Sequence, residues 1–368
     1  MLKRIYIDNF RCFVNFELKL NAINLMLGSN GSGKTSIFDV LQRIQEFVIG
    51  NARVYDLFPV ADLTRWQLLD QQRFELELLV DNDSYLYSLL IEHDSERKRM
   101  RVLEEKLDMN GKPLFVCHKG QAQLFRDDHS PGPQYPFDWT LSAVATLHER
   151  PENKKLTRFK RQLAKIIIVR PIPALVEKES RGEQERLHYR MENFLSWYRH
   201  LSQEHTAAIF FLFQQLQSIL PGFVAMRLKG MGEEARALKV LFSSHSEQEN
   251  FTFDFHELSD GQKMLIMIYS LILGMQGEKL SLFIDEPDNF LSLREIQPWL
   301  SHLIHLSAND REQAVLVSHH PEIVNYLGCE YGHWLQREQC GPVRVGQEPP
   351  QPVAGLTLAE TFGRGWEQ

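Results

Sequence analysis

The chain has 368 residues, 43% of them hydrophobic and 24% charged, with a net charge of −7 and a pI near 6.1. That length holds one large or two ordinary domains with a substantial core. The acidic balance argues against a generally basic, nucleic-acid-binding surface while leaving room for a local basic patch. Four scattered cysteines, Cys12, Cys117, Cys329 and Cys340, form no CxxC pair and no zinc spacing, so reduced thiols and a cytoplasmic setting are expected. The N-terminal MLKRIYIDNF has neither a long apolar core nor a small-residue cleavage site and reads as a strand rather than a signal peptide. The longest apolar run, residues 264–274, is too short for a bilayer, so no membrane partner is expected.

In chain order, residues 2–7 alternate as a strand, Asn9, Phe10 and Arg11 turn, and residues 12–20 read as a second strand. An apolar run over Ile23–Leu27 has the length of a buried strand. Residues 28–36, GSNGSGKTS, follow it and fit the phosphate-loop pattern GxxxxGK[ST] at every fixed position. After them Ile37, Val40, Leu41 and Ile44 recur at helical spacing, and Gly50 ends the helix. A loop wraps a polyphosphate closely only where side chains are missing, hence Gly28, Gly31 and Gly33. Its backbone N–H groups and the positive end of the next helix make an anion cradle, in which Lys34 reaches the β and γ phosphates and Thr35 holds Mg²⁺. The candidate ATP site is therefore Gly28, Ser29, Asn30, Gly31, Ser32, Gly33, Lys34, Thr35 and Ser36.

Short alternating segments at 73–80, 85–93, 101–109, 114–118 and 121–125 follow, separated by turn residues such as Asn110 with Gly111 and Lys119 with Gly120. They predict an antiparallel β region closed by the proline-rich stretch 130–136. Helices are expected over 141–147, 154–163 and 184–220, with a strand at 165–169. Within the longest, Leu187, Met191, Phe194, Leu195, Tyr198 and Leu201 form one apolar face. A strand pair at 223–228 and 237–242 leads into the last third.

That third carries three further motifs. LSLFIDEP, residues 280–287, predicts a central strand delivering Asp285 to bind Mg²⁺ and Glu286 to polarise the attacking water; two acids at a buried strand end are costly without a cation or hydrogen bonds. LSDGQK, residues 258–263, opens an apolar helix, so Ser259, Gly261 and Gln262 offer a hydroxyl and N–H groups to an anion; by itself this is also ordinary helix capping. VLVSHHP, residues 315–321, ends a strand in two histidines, of which His319 is the candidate to contact a γ-phosphate.

Together, the GSNGSGKT loop, LSDGQ, FIDEP and SHHP in this order resemble the ATP-binding-cassette ATPase heads, in particular the RecF and SMC branch. With LKRIYIDNFRCF and Pro221–Gly222–Phe223 they also resemble compact RecF-like AAA-type ATPases, including the ATPase part of overcoming-lysogenization-defect nucleases. The resemblance implies an α/β P-loop fold with a mixed central sheet, an antiparallel β region and a helical lobe. It implies ATP sites completed across a homodimer, Ser259 and Gly261 of one subunit closing on the phosphate held by Lys34 of the other. Asp288 and Asn289 fall where the family crosses the dimer interface, and Arg11 matches an N-terminal arginine that approaches the nucleotide. No glutamine before Lys165 identifies the loop that links the lobes in these relatives, and no sustained heptads predict an SMC arm.

The expected divisions are a nucleotide-binding lobe over 1–137, a helical insert over 138–250, a C-terminal lobe over 251–340 and an irregular tail over 341–368, with a short helix near 356–362. Asp81, Asn82 and Asp83 have the look of nuclease acids but sit where turns form. The cluster of Lys154, Lys155, Arg158, Lys160, Arg161 and Lys165 fits either phosphate contacts or a solvated helix face. His302 and His305, three apart, are taken as surface residues. The function expected is Mg²⁺-dependent ATP hydrolysis driving a dimeric switch. Its output is either duplex DNA binding in repair or antiphage defence, or control of a separate nuclease or toxin; a transporter ATPase fits the DNFR opening poorly.

Overall fold

In the computed structural model, residues 1–94, 99–243, 250–274, 277–309, 312–346, 351–353 and 355–364 are described. The chain divides into two compact units, residues 1–166 with 330–350, and residues 167–329 with 351–368.

The first unit opens with β1 (Leu2–Asp8), β2 (Phe16–Lys19), β3 (Ile23–Leu27), α1 (Lys34–Ile49) and α2 (Val54–Leu57). The turn after β1 is longer than expected, so the second strand starts at Phe16: Arg11 and Asn15 take left-handed backbone angles and Phe10 pairs with Phe13 inside the turn. There follow β4 (Gln71–Val80), β5 (Asp83–Asp94), β6 (Arg99–Met109), β7 (Lys112–His118), β8 (Gln121–Phe125), β9 (Pro131–Pro136), α3 (Ala143–Thr146) and α4 (Lys154–Ala164). One antiparallel sheet runs in the order β2-β1-β4-β5-β6-β7-β8-β9. Alternation in β4 and β5 places Phe74, Leu76 and Leu78, then Tyr85, Tyr87, Leu89 and Ile91, on a single buried face. Asn110 with Gly111, both at positive φ, forms the β6–β7 turn that its sequence demands. The proline-rich 131–136 is a strand, tolerated because it is the sheet's edge.

Helix α4 covers this face with Leu156, Phe159 and Leu163, spaced three and four apart. The Phe159 ring stacks on Tyr85 and Tyr87 at centroid distances of 6.1 and 5.7 Å. Burying such a ring contributes about 1.5–3 kcal/mol. The Gln45 amide donates to the carbonyls of Leu163, at the end of α4, and Ile166, at 2.8 and 2.7 Å.

Buried Glu105 accepts from the Ser142 and Tyr87 hydroxyls at 2.5 and 2.9 Å and from the Ala143 N–H at 2.9 Å. Burial raises its pKa despite these bonds. A raised folded pKa means stability that is full below the unfolded value of 4.5 and is lost as pH rises above it. Urea unfolding should therefore show the wild type losing stability relative to Glu105→Gln as pH rises above 4.5. Glu105→Ala, which strands three donors, should cost about 2–4 kcal/mol at pH 4.5 and less as pH rises.

The second unit opens with β10 (Ile166–Val169), then α5 (Phe194–Glu204), α6 (Thr206–Ile219), β11 (Phe223–Gly230), β12 (Arg236–Ser243), β13 (Asn250–Asp254), α7 (Asp260–Gly274), β14 (Ser281–Asp285), α8 (Leu293–Asn309), β15 (Gln313–Val317) and α9 (Pro321–Tyr331). Strands β10-β14-β15 lie side by side, β14 and β15 parallel and buried at every position. The β11-β12-β13 sheet is antiparallel. The long helix expected from 184 begins only at Phe194. Asn193 explains this: its Oδ1 accepts from the His188 N–H and its Nδ2 donates to the Arg186 carbonyl, both at 2.8 Å, while Met191 takes φ 60°. Those bonds offer the backbone a loop in place of a helix.

The chain then returns to the first unit as β16 (Gly332–Arg337) and β17 (Val343–Val345), with the order β3-β16-β17, β16 parallel to β3 and antiparallel to β17. A final helix, α10 (Leu358–Gly363), belongs to the second unit and has a capping box of Thr357 and Glu360. Pro349 and Pro350 lie outside the described residues. Among the described residues no helix is long and apolar enough to cross a membrane.

Candidate nucleotide site

The first unit carries the phosphate loop. It leaves buried β3 and enters α1, whose start at Gly33 (φ 89°) has no side-chain cap and no acid in its first turn. Three glycines adopt positive φ: Gly28 at 142°, Gly31 at 81° and Gly33 at 89°. A Cβ on Gly28 would stand 2.4 Å from the Leu335 carbonyl oxygen, and one on Gly33 would stand 2.8 Å from Cys12 Sγ. Lys34 is drawn into the loop, its Nζ donating to the carbonyls of Gly28 and Ser29 at 2.7 and 3.0 Å. Ser29, Asn30, Gly31 and Thr35 are exposed, while Ser32 is buried and Ser36 half-buried.

Arg11 lies in a four-charge cluster. It pairs with Asp39 and Asp62 at 2.7 Å each, and Arg43 pairs with the same two acids at 3.0 and 2.6 Å.

The second unit carries the acid pair. Asp285 ends β14 at 1% exposure and accepts at Oδ2 from the Tyr189 hydroxyl at 3.0 Å. Glu286 takes left-handed φ 54°, held by its N–H on the Val317 carbonyl at 2.8 Å. Its carboxylate pairs with the Arg170 guanidinium and accepts from Asn289 Nδ2 at 3.0 Å. Arg170 and Tyr189 are clipped together, the Arg170 N–H donating to the Tyr189 carbonyl at 2.6 Å. Sequence reasoning missed both residues, since neither lies in a motif. Asp288 is half-buried beside Ser318, and desolvation raises its pKa.

Ser259 forms a capping box with Gln262: Gln262 N–H donates to Ser259 Oγ at 3.3 Å and Ser259 N–H to Gln262 Oε1 at 3.1 Å. The hydroxyl remains exposed at the tip of α7. Gly261 is required there, because a Cβ would meet the Phe290 carbonyl at 2.9 Å. Of the two histidines, His320 Nδ1 accepts from the Glu322 N–H at 3.2 Å and so caps α9, while His319 is exposed.

Two features noted separately in the sequence neutralise one another. Arg158 pairs with Asp81 and, at 3.1 Å, with Asp83. Arg161 pairs with Glu149 at 2.6 Å, and Lys160 donates to the carbonyls of Ala145 and Leu147 at 2.8 and 2.9 Å. His302 bonds Gln215 at 3.0 Å. Among the described residues, Asp254, His256 and Glu257 sit at metal-ligand spacing, but Asp254 and Glu257 are engaged in a capping box and Asp254 also pairs with Lys239 at 2.5 Å.

The α/β architecture, with a glycine loop closed on its own lysine and, in the second unit, a fully buried parallel strand ending in two adjacent acids, is a P-loop NTPase fold of the SMC-head type. An SMC head bound to the C-terminal winged-helix domain of ScpA superposes with a TM-score of 0.57 at 11% identity, covering 94% of this chain and 96% of that one. The Thermotoga maritima SMC head domain gives 0.48 at 13% identity over 95% and 99%. A Pyrococcus furiosus Smc head bound to the C-terminal domain of ScpA gives 0.49 at 11% over 100% and 98%. No curated protein matches the chain. Residues 23–325 match the AAA_21 family, described as "AAA domain, putative AbiEii toxin, Type IV TA system", and the chain belongs to that AAA-type ATPase family.

Proposed function

We propose that this chain is a cytoplasmic ATP hydrolase that dimerises around ATP and works as a nucleotide-driven switch. The observation that carries the reading is the loop at 28–36: Gly28 and Gly33 packed too closely for a Cβ, Lys34 drawn inside, and an uncapped helix start behind it. Hard oxygen donors, the Thr35 hydroxyl and the Asp285 carboxylate, suit Mg²⁺, which when bound would neutralise phosphate charge. Tyr189 orients Asp285 from the side. Glu286 takes the proton of the attacking water, with Arg170 and Asn289 fixing the direction of its carboxylate. Exposed His319 is the contact for the γ-phosphate. Ser259, with its exposed hydroxyl, closes on the nucleotide of the second subunit, so that ATP holds the dimer shut and hydrolysis releases it.

For the output, control of a separate nuclease or toxin is favoured over a DNA clamp. Arg158, Lys160 and Arg161 of the basic stretch are engaged internally, which leaves less charge for duplex phosphates. The family's description, naming a toxin and a toxin–antitoxin system, points the same way. Ser259→Arg tests the shared site. It should abolish turnover and ATP-dependent dimerisation in light scattering while monomer ATP affinity changes less than about twofold. Collapse of that affinity would place Ser259 in its own subunit's site.

A further inference from the structure

Between α2 and β4 the chain leaves Trp66 41% exposed, with Leu68 fully exposed and Leu69 more than half exposed. One face of the Trp66 indole is taken by Arg337, whose guanidinium carbon stands 5.3 Å from the ring centroid. The same guanidinium donates from Nη1 to the Gly31 carbonyl at 3.1 Å and from Nε to the Gly341 carbonyl at 3.0 Å. A single cation, anchored at the end of β16, therefore joins an indole plane to the exposed tip of the phosphate loop. An aromatic ring that served only to pack its own loop would turn inward, whereas this one keeps much of its surface in solvent beside the polyphosphate cradle.

We propose that Trp66 is the stacking surface for the nucleobase of the triphosphate held by residues 28–36, with Arg337 as the positioning residue that keeps the indole beside the loop. The proposal rests on the reading of that loop as a triphosphate cradle. A nucleobase needs a flat apolar partner one ribose away from its phosphates, and every base has a π face, a purine the larger one. Arg337 suits the positioning role because a planar guanidinium stacks on an aromatic face while its N–H groups remain in plane to reach carbonyls.

The test is calorimetric titration of the full chain with ATP and, as a probe lacking the base, inorganic tripolyphosphate. Trp66→Ala should weaken ATP about tenfold or more and leave tripolyphosphate unchanged, and Trp66→Phe should restore most of the ATP affinity. ATP binding unchanged in Trp66→Ala, or equal weakening of both probes, would overturn the assignment. Lys34→Ala reports on the cradle separately. It should weaken both probes, and if it weakens neither, the phosphate-loop reading itself fails.

Discussion

Glu286→Gln is expected to lower ATP hydrolysis by about 10²- to 10⁴-fold while ATP stays bound and the dimer accumulates. The amide keeps the size of the side chain, and its oxygen can still accept from Asn289 or Arg170, whose guanidinium is 39% exposed and so not stranded without water. What the amide cannot do is accept a proton from water, and that is the role assigned to Glu286. Its backbone supports a fixed position: φ 54° is a conformation that costs a non-glycine residue on the order of 1–3 kcal/mol, held here by the Val317 and Asn289 contacts. Phosphate release and light scattering with ATP are the two readouts. Turnover at the wild-type rate would remove Glu286 from the chemistry, and another residue would have to take the proton.

Gly28→Ala is expected to disable nucleotide binding at its source. The new Cβ would sit 2.4 Å from the Leu335 carbonyl and 2.8 Å from Ser32 Oγ, at φ 142°. Ser32 can rotate, but Leu335 is backbone in β16, which is paired with β3 from Gly332 to Trp334. The loop must therefore open, at a cost of about 1–3 kcal/mol in stability and on the order of 100-fold in ATP affinity. Gly31→Ala is the control. Nothing lies within 4 Å of its Cβ, so only the strain of φ 81° applies, about 1–2 kcal/mol. Thermal unfolding and ATP titration of both variants check the order, and a Gly28→Ala chain that binds ATP as the wild type does would contradict the close packing of the loop.

Relatives with known structure share the head fold at about one residue in nine, so the likeness speaks for architecture and leaves the chemistry to this chain's own residues. Those residues divide by how far apart they lie in the sequence. The phosphate loop, the acid pair and the capping box at Ser259 are each contiguous, because strand, turn and helix start are local structures whose residue types follow from backbone geometry and charge. The antiparallel strands were legible for the same reason, through period-two alternation and turns such as Asn110 with Gly111.

Arg170 and Tyr189 could not be found that way, since they reach Glu286 and Asp285 across 116 and 96 residues and sit in no pattern of their own. The short strands β13, β16 and β17 were missed because five, six and three residues carry too little periodicity to register. Local side-chain bonds from Asn193 to the backbone of Arg186 and His188 overrode an apolar spacing that by itself predicts helix over 184–193. By itself the sequence determined which residue types stand together at each motif, glycines with a lysine between a strand and a helix and paired acids at a strand end, since those patterns are contiguous. Only the tertiary structure decided which distant side chains steady those motifs and which basic residues are already spoken for, because an ion pair depends on where the folded backbone brings charges together.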